Sequence, residues 1–393
     1  MKNFGKIPLV LLAEMMIVSF LTPFMPLVIQ QSFYALSLSI KASIIFLLPL
    51  IIFGLLFKTA VGLARQATTI ILLVVGLVCL SNFTSTFLSH YVGARIYHFN
   101  MSLLLPKTGG GLAPLWLFTL PKLIPNDKAM LAGIVLGIFF GNYMPSHAKK
   151  IAMQLETMIN KLLSFIIYVI PFFIAGFIVK LASDGVIHMI VKDYSVIFAI
   201  VAVTQLAYIF SAYFMVNRFQ LVCTLRSVRN MLPAALTGFS TMSSAAAMPF
   251  TIAGVKRNSK NSDLVSSIVP ATVNIHLVGD CFAIPIFAYA VLKSFGFSEP
   301  TLAMYLVFTT YFVLAKFSVA AIPGGGIIVM LPILESYLGF NAEMLSLITA
   351  LYILFDPVIT CANVLGNGAF ALLADKLLRK RKTFLIGKLR RAR

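Results

Sequence analysis

The sequence predicts an all-α polytopic membrane protein, and three observations carry that prediction. Hydrophobic residues make up 60% of the 393 positions and charged residues only 11%, too few polar groups to clothe a water-soluble globule of this size. The apolar residues fall in runs close to the roughly 20 that a helix needs to cross a bilayer. Two of the runs are interrupted by tips of small residues, the pattern of segments that enter and leave on one face. About eight spanning helices and two re-entrant helical hairpins then account for a single membrane domain over the whole chain.

The first run, at about 7 to 29, opens with the charged start of a signal peptide, but it is too long and lacks a small-residue cleavage site. It is expected to remain as the first span. Runs at about 37 to 57 and 67 to 90 follow, and the next, at about 113 to 147, is too long for one pass and is expected to break. Spans at about 159 to 183 and 194 to 216 precede the first odd segment, at about 231 to 255. A span at about 263 to 292, the second odd segment at about 305 to 340, and a last span at about 343 to 378 complete the set.

A net charge of +19 could suit a nucleic-acid partner. Here Lys and Arg instead gather at span ends, in the linkers "KTAVGLAR", "PSHAKK", "RFQLVCTLRSVRN" and "KRNSKNSD", and in the basic tail at 379–393. With both hairpins re-entrant, these linkers share one face with the two termini. The positive-inside rule then places both termini in the cytoplasm, in the cell inner (plasma) membrane, with no nucleic-acid role. The cysteines, Cys79, Cys223, Cys281 and Cys361, show no CxxC or Cys/His ligand spacing and read as plain thiols, and no metal site is expected beyond a sodium ion.

The odd segments, "LPAALTGFSTMSSAAAMPFTIAGVKRN" and "FSVAAIPGGGIIVMLPILESYLGF", each have two short apolar arms around a small-residue tip. The tips are Ser243, Ser244 and Ala245 to Ala247 in the first, and Pro323, Gly324, Gly325 and Gly326 in the second. A turn at membrane depth leaves backbone groups without helical partners, so it must be buried in protein or face a polar cavity. The helix that starts after each tip aims free N–H groups and the positive end of its dipole at that cavity, which suits a carboxylate. One hairpin enters from each side, the pattern of inverted repeats around a midplane site.

In the last span, Asp356, Ile359, Thr360, Asn363 and Asn367 fall on one helical stripe. An ionised Asp in a spanning helix costs about 2.5–3.5 kcal/mol, so a partner is expected, a substrate ammonium or a cation, the alternative being a structural pairing with a Lys or backbone groups from another span. The span before the second hairpin carries Asn274, His276 and Asp280; if helical, His276 and Asp280 are i and i+4 and could share a proton or an ion pair, the equal alternative being a neutral His276 that makes packing and hydrogen-bond contacts. Lys316 is expected to snorkel toward the interface, the alternative being that it replaces a cation charge.

This order of serine-rich hairpin, Asn-bearing span, "AIPGGGI" hairpin and Asp/Asn-bearing last span resembles the dicarboxylate/amino acid:cation symporters, the family of glutamate transporters and their prokaryotic homologues. The likeness is clear over 226–378 and compatible upstream. It implies a homotrimer in which a scaffold (about 7–57 and 113–183) supports a transport domain (about 67–90 and 194–378) that moves like an elevator. It also implies that Asp356 binds a substrate amino group, Asn363 the main carboxylate, and Thr360 another substrate contact. Ser243, Ser244, Ile322, Pro323, Gly324 and Gly326 would line the pocket from the hairpins. Asn274, His276, Asp280 and Asn367 would lie where cation or proton coupling takes place.

The departures from the family matter as much. Ile359 stands where acidic-substrate members have an arginine, so a second carboxylate would lie unpaired in a desolvated pocket and a neutral amino acid fits better. The family's "NMDGT" reads "NIHLV" here, with His276 and Val278 in place of Asp and Thr, and Asn367 replaces another sodium-binding Asp. The functional expectation is a secondary transporter, a symporter of a small amino acid or dicarboxylate coupled to sodium or protons, with no cofactor and no enzymatic activity. The alternatives are an uncoupled carrier, an ion channel, or a transport-inactive sensor of the same fold.

Overall fold

A computed structural model describes residues 7–65, 69–98, 111–121, 124–185, 187–259, 262–319 and 324–391. Among them there is no strand; helices and short connections make up the fold. The helices in order are α1 (Ile7–Leu21), α2 (Leu27–Arg65), α3 (Thr69–His98), α4 (Asn126–Tyr143), α5 (Pro145–Ser183), α6 (Ile187–Val216), α7 (Leu221–Thr241), α8 (Ser244–Asn258), α9 (Ser262–Thr272), α10 (Val278–Ser294), α11 (Leu302–Lys316), α12 (Gly325–Leu338) and α13 (Ala342–Arg391).

Most expected runs appear as helices, with informative exceptions. The first is divided at Thr22–Phe24, a single 3-10 turn where Pro23 withdraws a backbone donor. The long run at 113–147 breaks as expected, into irregular chain followed by α4. The run at 263–292 was expected to be one helix and is two, α9 and α10, with residues 273–277 unwound between them. The last helix passes through Pro357 and runs on into the basic tail segment as far as Arg391.

The helices pack in two groups. In the first, α2 lies along α4 and α5, with Phe57, Val61, Ala148 and Ala152 forming a shared apolar cluster. Ser37 Oγ donates to the Phe173 carbonyl at 2.7 Å, tying α2 to α5 through a buried polar contact, and α1 packs on α5. In the second, α10 is buried from Val278 to Leu292 and packs against α3, α6 and α13. Tyr305 Oη donates to the Thr86 carbonyl at 2.7 Å, joining α11 to α3, and Tyr213 Oη donates to the Leu365 carbonyl at 3.0 Å, joining α6 to α13. A helix surrounded on all sides must be apolar all round, which is why α10 shows no amphipathic stripe.

Among the described residues three helices are long and apolar enough to cross a membrane: Leu73–His98, Tyr194–Val216 and Glu343–Leu378. Large apolar side chains also stand on the outside, Phe20, Phe139, Phe165, Leu236 and Phe250 among them, where hydrocarbon rather than water is the fitting solvent.

Candidate functional site

The two helical hairpins converge. α7 and α8 pack against each other around a turn at Met242 and Ser243, with Met242 in the left-handed region at φ 48° and its N–H bonded to the Gly238 carbonyl. Ser243 caps α8, its hydroxyl accepting from the Ala246 N–H at 3.3 Å, so Ala245 to Ala247 belong to the first turn of α8 rather than to the tip. α11 and α12 form the second pair, and α12 starts after Gly324, whose φ of +71° is a conformation that favours glycine. Ile322 and Pro323 lie outside the described residues.

Ser244 from the first hairpin and Gly326 from the second line one cavity, together with Asn274 and Leu277 from the unwound stretch, Asp280 from α10, and Tyr352, Asp356, Thr360 and Asn363 from α13. Its volume is about 30 Å³. That is room for about two waters and not for an amino acid. Ile359 is fully buried and does not line the cavity: its carbonyl lies so close to Gly279 that a β carbon there would come within 2.4 Å of it.

The two carboxylates on the cavity wall have different surroundings. Asp356 accepts from the Gly324 N–H at 3.0 Å and from Thr360 Oγ1 at 3.0 Å; neither partner carries a charge. Asp280 accepts from Lys316 Nζ at 2.8 Å, Tyr352 Oη at 3.1 Å and Asn363 Nδ2 at 3.1 Å. Lys316 is therefore not a snorkelling residue: its side chain is 0% exposed and its ammonium lies 4.5 Å above the Phe312 ring. The expectation failed because α11 ends inside the protein, where the ammonium meets the carboxylate of Asp280. Asn363, read as a carboxylate-binding group, uses both ends of its amide internally, its Oδ1 accepting from the Gly279 N–H at 2.8 Å.

The pairing of His276 with Asp280 does not form, because the helix that would bring them together is unwound. His276 is buried, its Nε2 is 2.8 Å from Ser81 Oγ, its ring packs on Phe370 at 4.4 Å, and its Nδ1 has no hydrogen-bond partner among the described residues. Asn367 donates to the His276 carbonyl and to the Asn363 carbonyl, each at 3.1 Å. Asn82, on α3, donates to the Ile275 carbonyl at 2.7 Å and accepts from the Leu277 N–H at 3.3 Å. The unwound backbone is thus satisfied by two side-chain amides, as buried backbone groups must be. A hard cation such as sodium binds through carbonyl and carboxylate oxygens. Here side-chain amide N–H groups donate to the carbonyls of Ile275, His276 and Asn363, and among the described residues no cluster of three or more His, Cys, Asp or Glu side chains is placed to hold a metal ion.

Asn82, Ser81 and Tyr352 escaped the sequence reading. A signal was present: Ser81, Asn82, Ser85, Thr86 and Ser89 stand one and four apart inside an otherwise apolar span, a polar helical face. Asn82→Leu is expected to strand the Ile275 carbonyl and the Leu277 N–H, at about 1–3 kcal/mol for each. Thermal unfolding and amide exchange at Leu277 would measure it; an unchanged exchange rate would rule out this role for Asn82.

No curated protein matches the chain. The family model of the sodium:dicarboxylate symporters matches residues 9–377, nearly the whole length. Convergent hairpins, an unwound stretch between two helices and a cavity walled by carboxylates, amides and hydroxyls thus sit within a chain that belongs to the sodium:dicarboxylate symporter family.

Proposed function

We propose that this protein carries a small neutral amino acid across the membrane by alternating access. Family membership implies a cation-coupled symporter of dicarboxylates or amino acids; the narrower reading rests on one observation. Asp356 is a buried carboxylate on the cavity wall whose hydrogen-bond donors, Gly324 N–H and Thr360 Oγ1, are neutral, so a substrate ammonium is its natural partner. Among the described residues no Arg or Lys lines the cavity, and the nearby Lys316 is bonded to Asp280, so a second substrate carboxylate would find no cation there. The main carboxylate would be met by the N-terminal ends of α8 and α12, at Ser244 and Gly326.

In this reading α1, α2, α4 and α5 form a scaffold, at which copies of the chain assemble as a homotrimer, and α3 with α6 to α13 forms the moving transport domain. The two hairpins are re-entrant gates, α7–α8 toward the cytoplasm and α11–α12 toward the outside, with both termini cytoplasmic. The coupling cation, sodium or a proton, would meet the cavity at Asn274. His276 and Asn367 stand behind the cavity wall and shape the unwound stretch.

The test is uptake by the purified protein in liposomes, offering labelled neutral and acidic amino acids under separately imposed sodium and proton gradients. Saturable uptake with counterflow is expected for a neutral amino acid, with aspartate and glutamate at least about tenfold poorer, since each would bury an unpaired charge. Aspartate carried as well as any neutral amino acid would sink the substrate assignment, and conductance without counterflow would favour a channel.

A further inference from the structure

We propose that Lys316 is a resident cation: its ammonium occupies, at Asp280, the place a mobile cation would take, and so latches the second helical hairpin to α10 without an ion from solution. The inference builds on the reading of that hairpin as a gate, but not on which solute passes it.

Charge accounting comes first. Asp280 and Asp356 line the same cavity of about 30 Å³, so without a cation two carboxylates would share one desolvated space. Lys316 Nζ stands 2.8 Å from Asp280 Oδ2, and the two side chains are 0% and 2% exposed. Neither charge is tolerable there alone, and each is satisfied by the other. The remaining carboxylate oxygen, Oδ1, accepts from Tyr352 Oη and Asn363 Nδ2, so the whole group is enclosed by donors that belong to the chain.

The placement on the helices adds to the pairing. Lys316 is the last residue of α11, where the helix dipole favours a positive charge, and Asp280 lies in the first turn of α10, where it favours a negative one. The hairpin turn begins directly after Lys316, so the ion pair fixes the arm that carries the tip. Gly326, just past the tip, comes so close that a β carbon on it would lie 2.5 Å from Asp280 Oδ2 and 2.3 Å from Tyr352 Oη. The start of α12 is thereby seated on the same carboxylate from the other side. A mobile cation there would need the space and the oxygen that the tethered ammonium holds.

The decisive experiment reads the hairpin, not transport. Protein purified into lipid nanodiscs is compared in choline, sodium, potassium and lithium chloride at constant ionic strength, by hydrogen exchange of the α12 amides and by thermal unfolding. In the native protein, α12 protection is expected to be the same in sodium as in choline. Lys316→Ser, which removes the ammonium and opens room beside Asp280, is expected to lose about 100-fold or more of that protection in choline. It should regain at least about tenfold on adding a small alkali cation, and Asp280→Asn in the same background should abolish the recovery. Lys316→Met fills the volume without charge, and should lose protection with no recovery in any salt. Native protection that rises tenfold with sodium would overturn the proposal, as would Lys316→Met keeping native protection. The native measurement decides even where Lys316→Ser does not fold. Since no readout uses a transported solute, the substrate assignment can fail while this latch stands, and the reverse.

Discussion

Replacing Asp356 with Asn should reduce uptake of any amine-bearing substrate by about 30-fold or more while leaving the fold in place. The magnitude follows from removing one partner of a buried charge pair, roughly 2–5 kcal/mol in measured cases. The amide keeps an oxygen to accept from the Gly324 N–H and one group to face Thr360, so the hairpin tip retains its anchor. Asp356→Ala removes both, and should lose uptake and tip protection together. The comparison separates a binding role from a structural one: equal thermal stability of the native and Asn forms, with uptake lost only in the latter, is the expected pattern. Native uptake of an amino acid by Asp356→Asn would reject Asp356 as its ammonium partner.

The second large effect is structural. At Gly279 a β carbon would meet the Ile359 carbonyl at 2.4 Å and Asn363 Oδ1 at 3.1 Å, so α10 and α13 touch through backbone at this point. Gly279→Val has to push apart two buried helices and disturb the bond from its own N–H to Asn363 Oδ1. Overpacking of this kind costs about 1–3 kcal/mol or more. Gly62→Ala, on α2 where nothing lies within 4 Å of the added carbon, is the matched control and should be neutral or slightly stabilising. Thermal unfolding of the two variants is the measurement, and similar midpoints would show that the α10–α13 contact is not as rigid as its geometry demands.

The sequence was most legible where a residue type conflicted with its surroundings. Glycines and serines in apolar runs marked both hairpins, and polar residues spaced three and four apart marked the inner face of α13. Asp356, Thr360 and Asn363 do line the cavity together. What stayed hidden depended on partners distant in the chain. The break at 273–277 contains neither Gly nor Pro and is held open by Asn82, 193 positions from Ile275, and by Asn367, 91 positions from His276. Lys316 looked like an ordinary helix-end lysine until Asp280, 36 positions away, was placed beside it. Ile359 shares the polar stripe by spacing alone; the close approach of Gly279 turns its position into a packing contact. Local pattern reveals which face of a helix is polar, whereas the depth of a residue and the identity of its neighbour are tertiary facts.

The bond from the Gly324 N–H to Asp356 makes the tip of the second hairpin a competitor for the group assigned to the substrate. An amino acid of the proposed kind then cannot be bound while the tip is seated, since the space left beside the tip is about 30 Å³. Linkage makes the exclusion quantitative: any change that strengthens the seated tip by some factor weakens apparent affinity for the solute by the same factor once the seated form dominates. Affinity can therefore be tuned from the hairpin alone, by residues that never touch the cargo.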